Sequence, residues 1–162
     1  MAEENIKEEK EQVQAKKVSK KDYVHAIGRR REATARVRLY TNGKEVSWGD
    51  QVVKKGEIFV NEKPIEQYFS GEVAKSVYIE PFRTTNTISK FTVTAKVEGG
   101  GKHGQLQAFV HAISRALSEF NTEKFRPVLK KKGLLTRDAR ARQRRKVGMG
   151  GKSRRKKQSP KR

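Results

Sequence analysis

The chain has 162 residues, no cysteine and a formal net charge of +21, from 39 Lys and Arg against 18 Asp and Glu. That length suits one domain, the missing thiols exclude a disulfide framework or a thiolate metal site, and the lack of any long apolar run excludes a transmembrane helix. A polycation becomes compact against a polyanion, and nucleic acid is the first candidate because each neutralised phosphate releases a condensed counterion; an acidic membrane surface fits less well, since the basic segment has no Trp, Phe or Leu face.

Residues 1–22 are polar and charge-mixed, with Glu3, Glu4, Glu8, Glu9 and Glu11 among them. They read as a disordered N-terminal extension. They carry no apolar signal core and are too acidic for an organellar transit peptide, so a cytosolic product is expected.

Residues 23–129 read as a globular domain. In REATARVRLY, Ala33, Ala35, Val37 and Leu39 alternate with Thr34, Arg36, Arg38 and Tyr40, the period of a strand with one buried face. KEVSW and QVVKK, joined by Gly49-Asp50, suggest a small hairpin. IFV at 58–60 followed by Asn61 is a short strand and its turn. IEQYF after Pro64 and GEVAKSVYI suggest short helices, the second ending before Pro81. In KFTVTAKVE, Phe91, Val93, Ala95 and Val97 alternate with Thr92, Thr94 and Lys96, giving another strand. The clearest helix is GQLQAFVHAISRALSEFN, where Leu106, Phe109, Val110, Ile113, Leu117 and Phe120 recur at helical spacing and Asn121 is the stop. The fold class is α+β, a small sheet with helices packed on one face, plus a long extended or disordered basic C-terminal arm.

After Asn121 the apolar pattern fades, and Leu129, Leu134 and Leu135 are the last anchors. Thr136 is placed to cap a helix running toward Lys146, with Asp138 and Arg142 paired at i, i+4. Residues 122–162 hold 18 basic and 2 acidic side chains, a net +16, so this quarter of the chain carries most of the excess charge. Residues 130–162 therefore read as an extended basic RNA-binding tail. Fully extended, residues 138–162 would reach roughly 80 Å, far enough to thread between RNA helices. No aromatic side chain lies in that stretch, so its mode is phosphate neutralisation rather than base stacking.

Few residues invite another chemistry. The GGGK stretch at 99–102 is a tight strand-to-helix turn whose backbone N–H groups can also approach a phosphate. GGKS at 150–153 is half of a phosphate-binding loop, but Lys146 stands where the pattern needs glycine, so it is no nucleotide site. His25, His103 and His111 lack metal-ligand spacing, and Glu98 and Glu119 have no catalytic partner. No catalytic residue, metal or cofactor is expected, and the chain reads as no enzyme. The phosphate-facing residues expected on the domain are Arg29, Arg30, Arg31, Arg36, Arg38 and Lys102, Arg being suited by its planar fork. Along the tail they are Lys130, Lys131, Lys132, Arg137, Arg140, Arg142, Arg144, Arg145, Lys146, Lys152, Arg154, Arg155, Lys156 and Lys157.

Four stretches, IGRRREATARVRLY, IFVNEKPIEQYF, KVEGGGKHGQLQAFVHAISRAL and FRPVLKKKGLLTRDARARQRRKVG, resemble the small-subunit ribosomal protein nine family of the bacterial type, over about residues 23–162 and in the family's order. The resemblance implies a domain like domain two of ribosomal protein five, seated on the head of the small subunit. Its implied partners are the 3′ major domain of small-subunit ribosomal RNA, neighbouring head proteins and, through the arm, the anticodon stem-loop of the P-site tRNA, with no membrane. Carried over, Lys161 and Arg162 match the family's final Lys-Arg and are the tRNA contacts. The chain departs from the family in three places. It ends Gln158-Ser159-Pro160-Lys161-Arg162 where Gln-Phe-Ser-Lys-Arg is common, residues 41–57 are longer than the usual connection and include Trp48, and residues 1–22 extend the start. Two other classes are weighed against this. A nucleoid-type DNA-binding protein would present a recognition helix, whereas the main helix here is amphipathic. A small phosphotransferase would need metal-binding carboxylates and a positioned base.

Overall fold

A computed structural model describes residues 23–41, 46–48, 51–142 and 144. The elements in chain order are β1 Tyr23–Arg30, β2 Ala33–Tyr40, β3 Val46–Trp48, β4 Gln51–Val53, β5 Ile58–Val60, β6 Lys63–Pro64, α1 Ile65–Tyr68, α2 Glu72–Thr84, β7 Thr92–Glu98, α3 Lys102–Phe120 and α4 Thr122–Lys131. The alternation in β2 buries Ala33, Ala35, Val37 and Leu39 and leaves Arg36 and Arg38 outside, as its period requires. A five-stranded sheet runs in the order β1-β2-β7-β5-β6. It is antiparallel except where β5 lies parallel to β7. The helices cluster around α3, which lies across β1 and β2 and buries Leu106, Phe109, Val110, Ile113 and Leu117. Phe120, read as part of that stripe, is 43% exposed and packs its ring against Phe91 and Phe125. The α+β class, with its helices on one face of a small sheet, is the one expected.

Strand β1 gave no clear periodic signal, because HAIGRR interrupts its apolar positions with a glycine and two arginines. Packing explains the glycine: a Cβ at Gly28 would stand 2.0 Å from the Ala108 carbonyl oxygen and 2.5 Å from the Ala112 nitrogen. Only glycine lets α3 cross the strand this closely. Arg29 and Arg30 therefore end β1 rather than begin β2, and Arg31, at φ +52°, makes the turn with Glu32.

Two sequence expectations need correction, and one helix forms that was not expected. Helix α2 does not stop before Pro81 but runs on to Thr84. Pro81 cannot donate to the Val77 carbonyl. It lies in the last turn, however, fully buried between Tyr78 and Phe82, and that burial offsets one lost hydrogen bond. A helix also forms where the apolar pattern fades. Asn121 ends α3 and then caps α4, its side-chain oxygen accepting from the Lys124 N–H at 3.0 Å. That helix spans residues 129 and 130, where composition placed the start of the tail. It closes at Gly133, at φ +71°, with Gly133 N–H donating to the Lys130 carbonyl and Leu134 N–H to that of Leu129.

Finally, no helix starts at Thr136. Residues 137–142 are irregular, and Asp138 pairs with Arg30 and Arg140, not with Arg142. The stretch has no apolar stripe to dock, and the Asp138 carboxylate takes the Arg140 N–H, an alternative to the helical ladder. The rest of that expected helix, from Arg145 to Lys146, lies outside the described residues, as do residues 1–22, the Gly49-Asp50 turn and the GGKS stretch.

Candidate nucleic-acid interface

The GGG turn after β7 is shaped by the chain it packs on. Gly99 and Gly100 adopt φ of +74° and +59°, and a Cβ on Gly99 would stand 2.5 Å from the Glu32 carbonyl oxygen. The tight-turn reading of this motif therefore holds. The turn is braced from beneath by a relay that no local motif announces. The side-chain amide of Asn61, at φ +48° in the β5–β6 turn, donates to the Val97 carbonyl and accepts from the Val97 N–H, both at 2.8 Å. It thus acts as one extra rung beside β7. The Asn61 amide also reaches Tyr68 Oη, which donates to Gln105 Oε1 at 2.9 Å, and Gln105 Nε2 donates to the Gly99 carbonyl at 3.0 Å. Lys102 Nζ lies 3.5 Å from the centre of the Tyr68 ring. With the loop so held, Gly101 stands at the N-cap of α3, and no side chain caps the helix's first N–H groups.

The second half of the surface is the start of the tail. Arg30 is only 7% exposed, yet all of its fork is engaged. Nε donates to Gln107 Oε1 at 2.7 Å, Nη1 to the Arg140 carbonyl at 2.8 Å, and Nη2 meets Asp138 Oδ2 at 2.8 Å. Asp138 also accepts from the Arg140 backbone N–H at 3.0 Å and from Arg140 Nη2 at 2.6 Å. These bonds, Arg140's foremost, hold its carboxyl well below the usual aspartate range. Gln107 in turn bonds His103 at 3.0 Å. The chain after α4 is thus tied back onto the end of β1 and the first turns of α3. Between them runs a groove of about 910 Å³, lined by Arg31, the glycine loop, Lys102, His103, Arg137, Arg140 and Arg142.

The residues singled out from the sequence therefore divide. Arg31, Lys102, Arg137, Arg140 and Arg142 meet at this groove with exposed side chains. Arg30 lines it too, but it is buried and each of its three nitrogens already has a partner within the protein, so its evident part is to position the tail. Arg29, Arg36 and Arg38 project from the opposite face of the sheet. Lys130 and Lys131 are exposed on the last turn of α4, and Lys132 pairs with Glu80 at 2.5 Å. Arg144 is exposed. Arg145, Lys146, Lys152, Arg154, Arg155, Lys156, Lys157, Lys161 and Arg162 lie outside the described residues. Sequence reasoning missed Asn61, Tyr68, Gln105, Gln107 and Asp138 as supports. Only Asp138 left a trace, as one of 2 acids among the last 41 residues. His111 sits on α3 toward Leu135. Burial lowers its pKa, a backbone hydrogen bond at Leu135 opposes that, and nearby Arg115 and Arg137 lower it further.

A glycine turn, an uncapped helix start and a line of arginines on one surface are the parts of a basic protein built to hold a polyanion. Residues 28–162 match the family described as Ribosomal protein S9/S16, and the chain belongs to that family. Among its relatives is the small ribosomal subunit protein uS9 of Maridesulfovibrio salexigens, 43% identical over 131 residues, which cover 81% of this chain and 91% of that protein. The protein of the same name from Anaeromyxobacter sp. strain K is 43% identical over 125 residues, covering 77% and 86%. That of Leifsonia xyli is 40% identical over 124 residues, covering 76% and 67%. The family is one of structural ribosomal proteins, so the chain is not an enzyme. No helix among the described residues is long and apolar enough to cross a membrane.

Proposed function

We propose that this protein is a structural component of the head of the small ribosomal subunit, at work in translation in the cytoplasm, and that it binds the 3′ major domain of small-subunit ribosomal RNA. The groove at the start of α3 receives the RNA backbone there, with Arg31, Lys102, Arg137, Arg140 and Arg142 on phosphates. The observation that carries this reading is the tie between Arg30 and Asp138, because it turns the root of the tail toward the glycine loop and joins two sets of cations into one surface. Residues 143–162 continue that line of charge, and their final Lys161 and Arg162 contact the anticodon stem-loop of the tRNA in the P site. A DNA-binding role has no observation in its favour.

The test uses reconstituted small subunits. Subunits carrying the chain without Lys161 and Arg162 should assemble normally and bind P-site tRNA more weakly, by about three- to tenfold for two lost phosphate contacts. Filter binding at several salt concentrations reads this. Unchanged tRNA affinity would remove the tail tip from the P site.

A further inference from the structure

We propose that the outer face of the sheet carries a separate nucleic-acid site, a pocket for one unpaired RNA nucleotide whose base stacks on Trp48 and whose phosphate is held by Arg36, Arg38 and Lys96. The inference rests on the ribosomal RNA reading for the kind of partner, but its residues are not those of the groove. Sheet register brings them together: Ile27, Arg36 and Lys96 stand side by side across β1, β2 and β7, and His25, Arg38 and Thr94 form the next row. The β3–β4 hairpin carries Trp48 to these rows, and together they enclose about 230 Å³ lined by His25, Arg36, Arg38, Trp48, Thr94 and Lys96. That is below the roughly 300 Å³ at which drug-sized pockets begin, so it admits a single ring-sized group rather than a folded partner.

Charge selects the guest. Three cations line the pocket and no carboxylate does. One acid, Glu98, meets Arg36 and Lys96 only at 3.4 Å, and all three side chains are about half exposed or more. Such ion pairs exchange readily for a phosphate. Trp48 is the chain's single tryptophan and is only partly buried, which leaves indole surface beside those cations. An aromatic ring among Arg and Lys suits a base with its phosphate, since any base can stack.

The same tryptophan reports on the site. The full chain is titrated with a single-stranded RNA hexamer, an abasic oligomer of equal charge and a glutamate peptide, following tryptophan emission, while anisotropy of labelled RNA follows total binding. RNA should quench the emission as it binds, the abasic oligomer should do so far less, and R38Q/K96Q should shift the quenching midpoint by about tenfold. An unaltered emission maximum in the free variant shows that its hairpin is intact. RNA that binds by anisotropy without changing the emission overturns the pocket while leaving the groove reading intact. Equal quenching by the abasic oligomer overturns stacking, and quenching by the peptide alone makes the face a protein-docking surface instead. No rise in anisotropy sinks the RNA reading itself.

Discussion

Arg30 shows how far one side chain's role depends on its surroundings. In sequence it is the middle of three arginines, all equally suited to phosphate; in the fold it is the one that is buried, with Gln107, Asp138 and the Arg140 carbonyl around its fork. Arg30→Met keeps much of the volume and strands those partners, so it should cost about 2–3 kcal/mol in urea unfolding. Loss within about 0.5 kcal/mol, the range of an ordinary surface change, would mean the fork is not holding the tail. Asp138 offers a pH test. Its folded pKa is depressed by Arg140 and then Arg30, so its contribution is complete at neutral pH. That contribution fades only as the pH falls below the unfolded value of about 3.9 and through the folded one. Carbon-13 titration of the Asp138 carboxyl should give a midpoint well under that ordinary value; a normal midpoint would show the tail root undocked.

Helix α3 and strand β1 approach so closely that no Cβ fits on the strand at their crossing. This approach depends on Gly28, whose absent side chain admits Ala108 and Ala112. Gly28→Ala should cost about 3 kcal/mol or more, since backbone rather than a flexible side chain must move. Thermal unfolding measures it, and a melting temperature unchanged within a degree would refute the crossing. At this scale the alternating strands and the amphipathic α3 were legible, because each has one buried face and its period survives in the residues. β1 and α4 were not: β1 spends inward positions on Gly28 and Arg30, and α4 buries little beyond Leu129. Pro81 misled for the same reason, since burial outweighed a local rule.

For the whole molecule, the tie at Asp138 divides the tail into a root and a reach. Removing residues 143–162 takes away ten cations but leaves Arg30 satisfied. The domain should keep its stability, while the log–log salt slope of ribosomal RNA binding falls by about 4 if half of those cations are engaged. Removing residues 137–162 should lower the slope further, because Arg137, Arg140 and Arg142 go as well, and should also lower stability by about 2 kcal/mol, because Arg30 then keeps only Gln107. Equal stability for the two truncations, compared by urea unfolding, would place the root of the tail outside the domain.

The class of this protein, its polyanionic partner and the main rhythm of its sheet and long helix were set by charge and period, which are properties of residues in a row. The resemblance of its blocks to one ribosomal family was equally visible there. Which arginines face outward, why a lone aspartate interrupts a run of cations, and how Asn61 steadies a glycine turn 38 positions further on, at Gly99, were decided by the tertiary structure alone. Burial and hydrogen-bond partners arise between segments far apart in the chain, and a side chain with several possible partners takes the one that packing brings within reach.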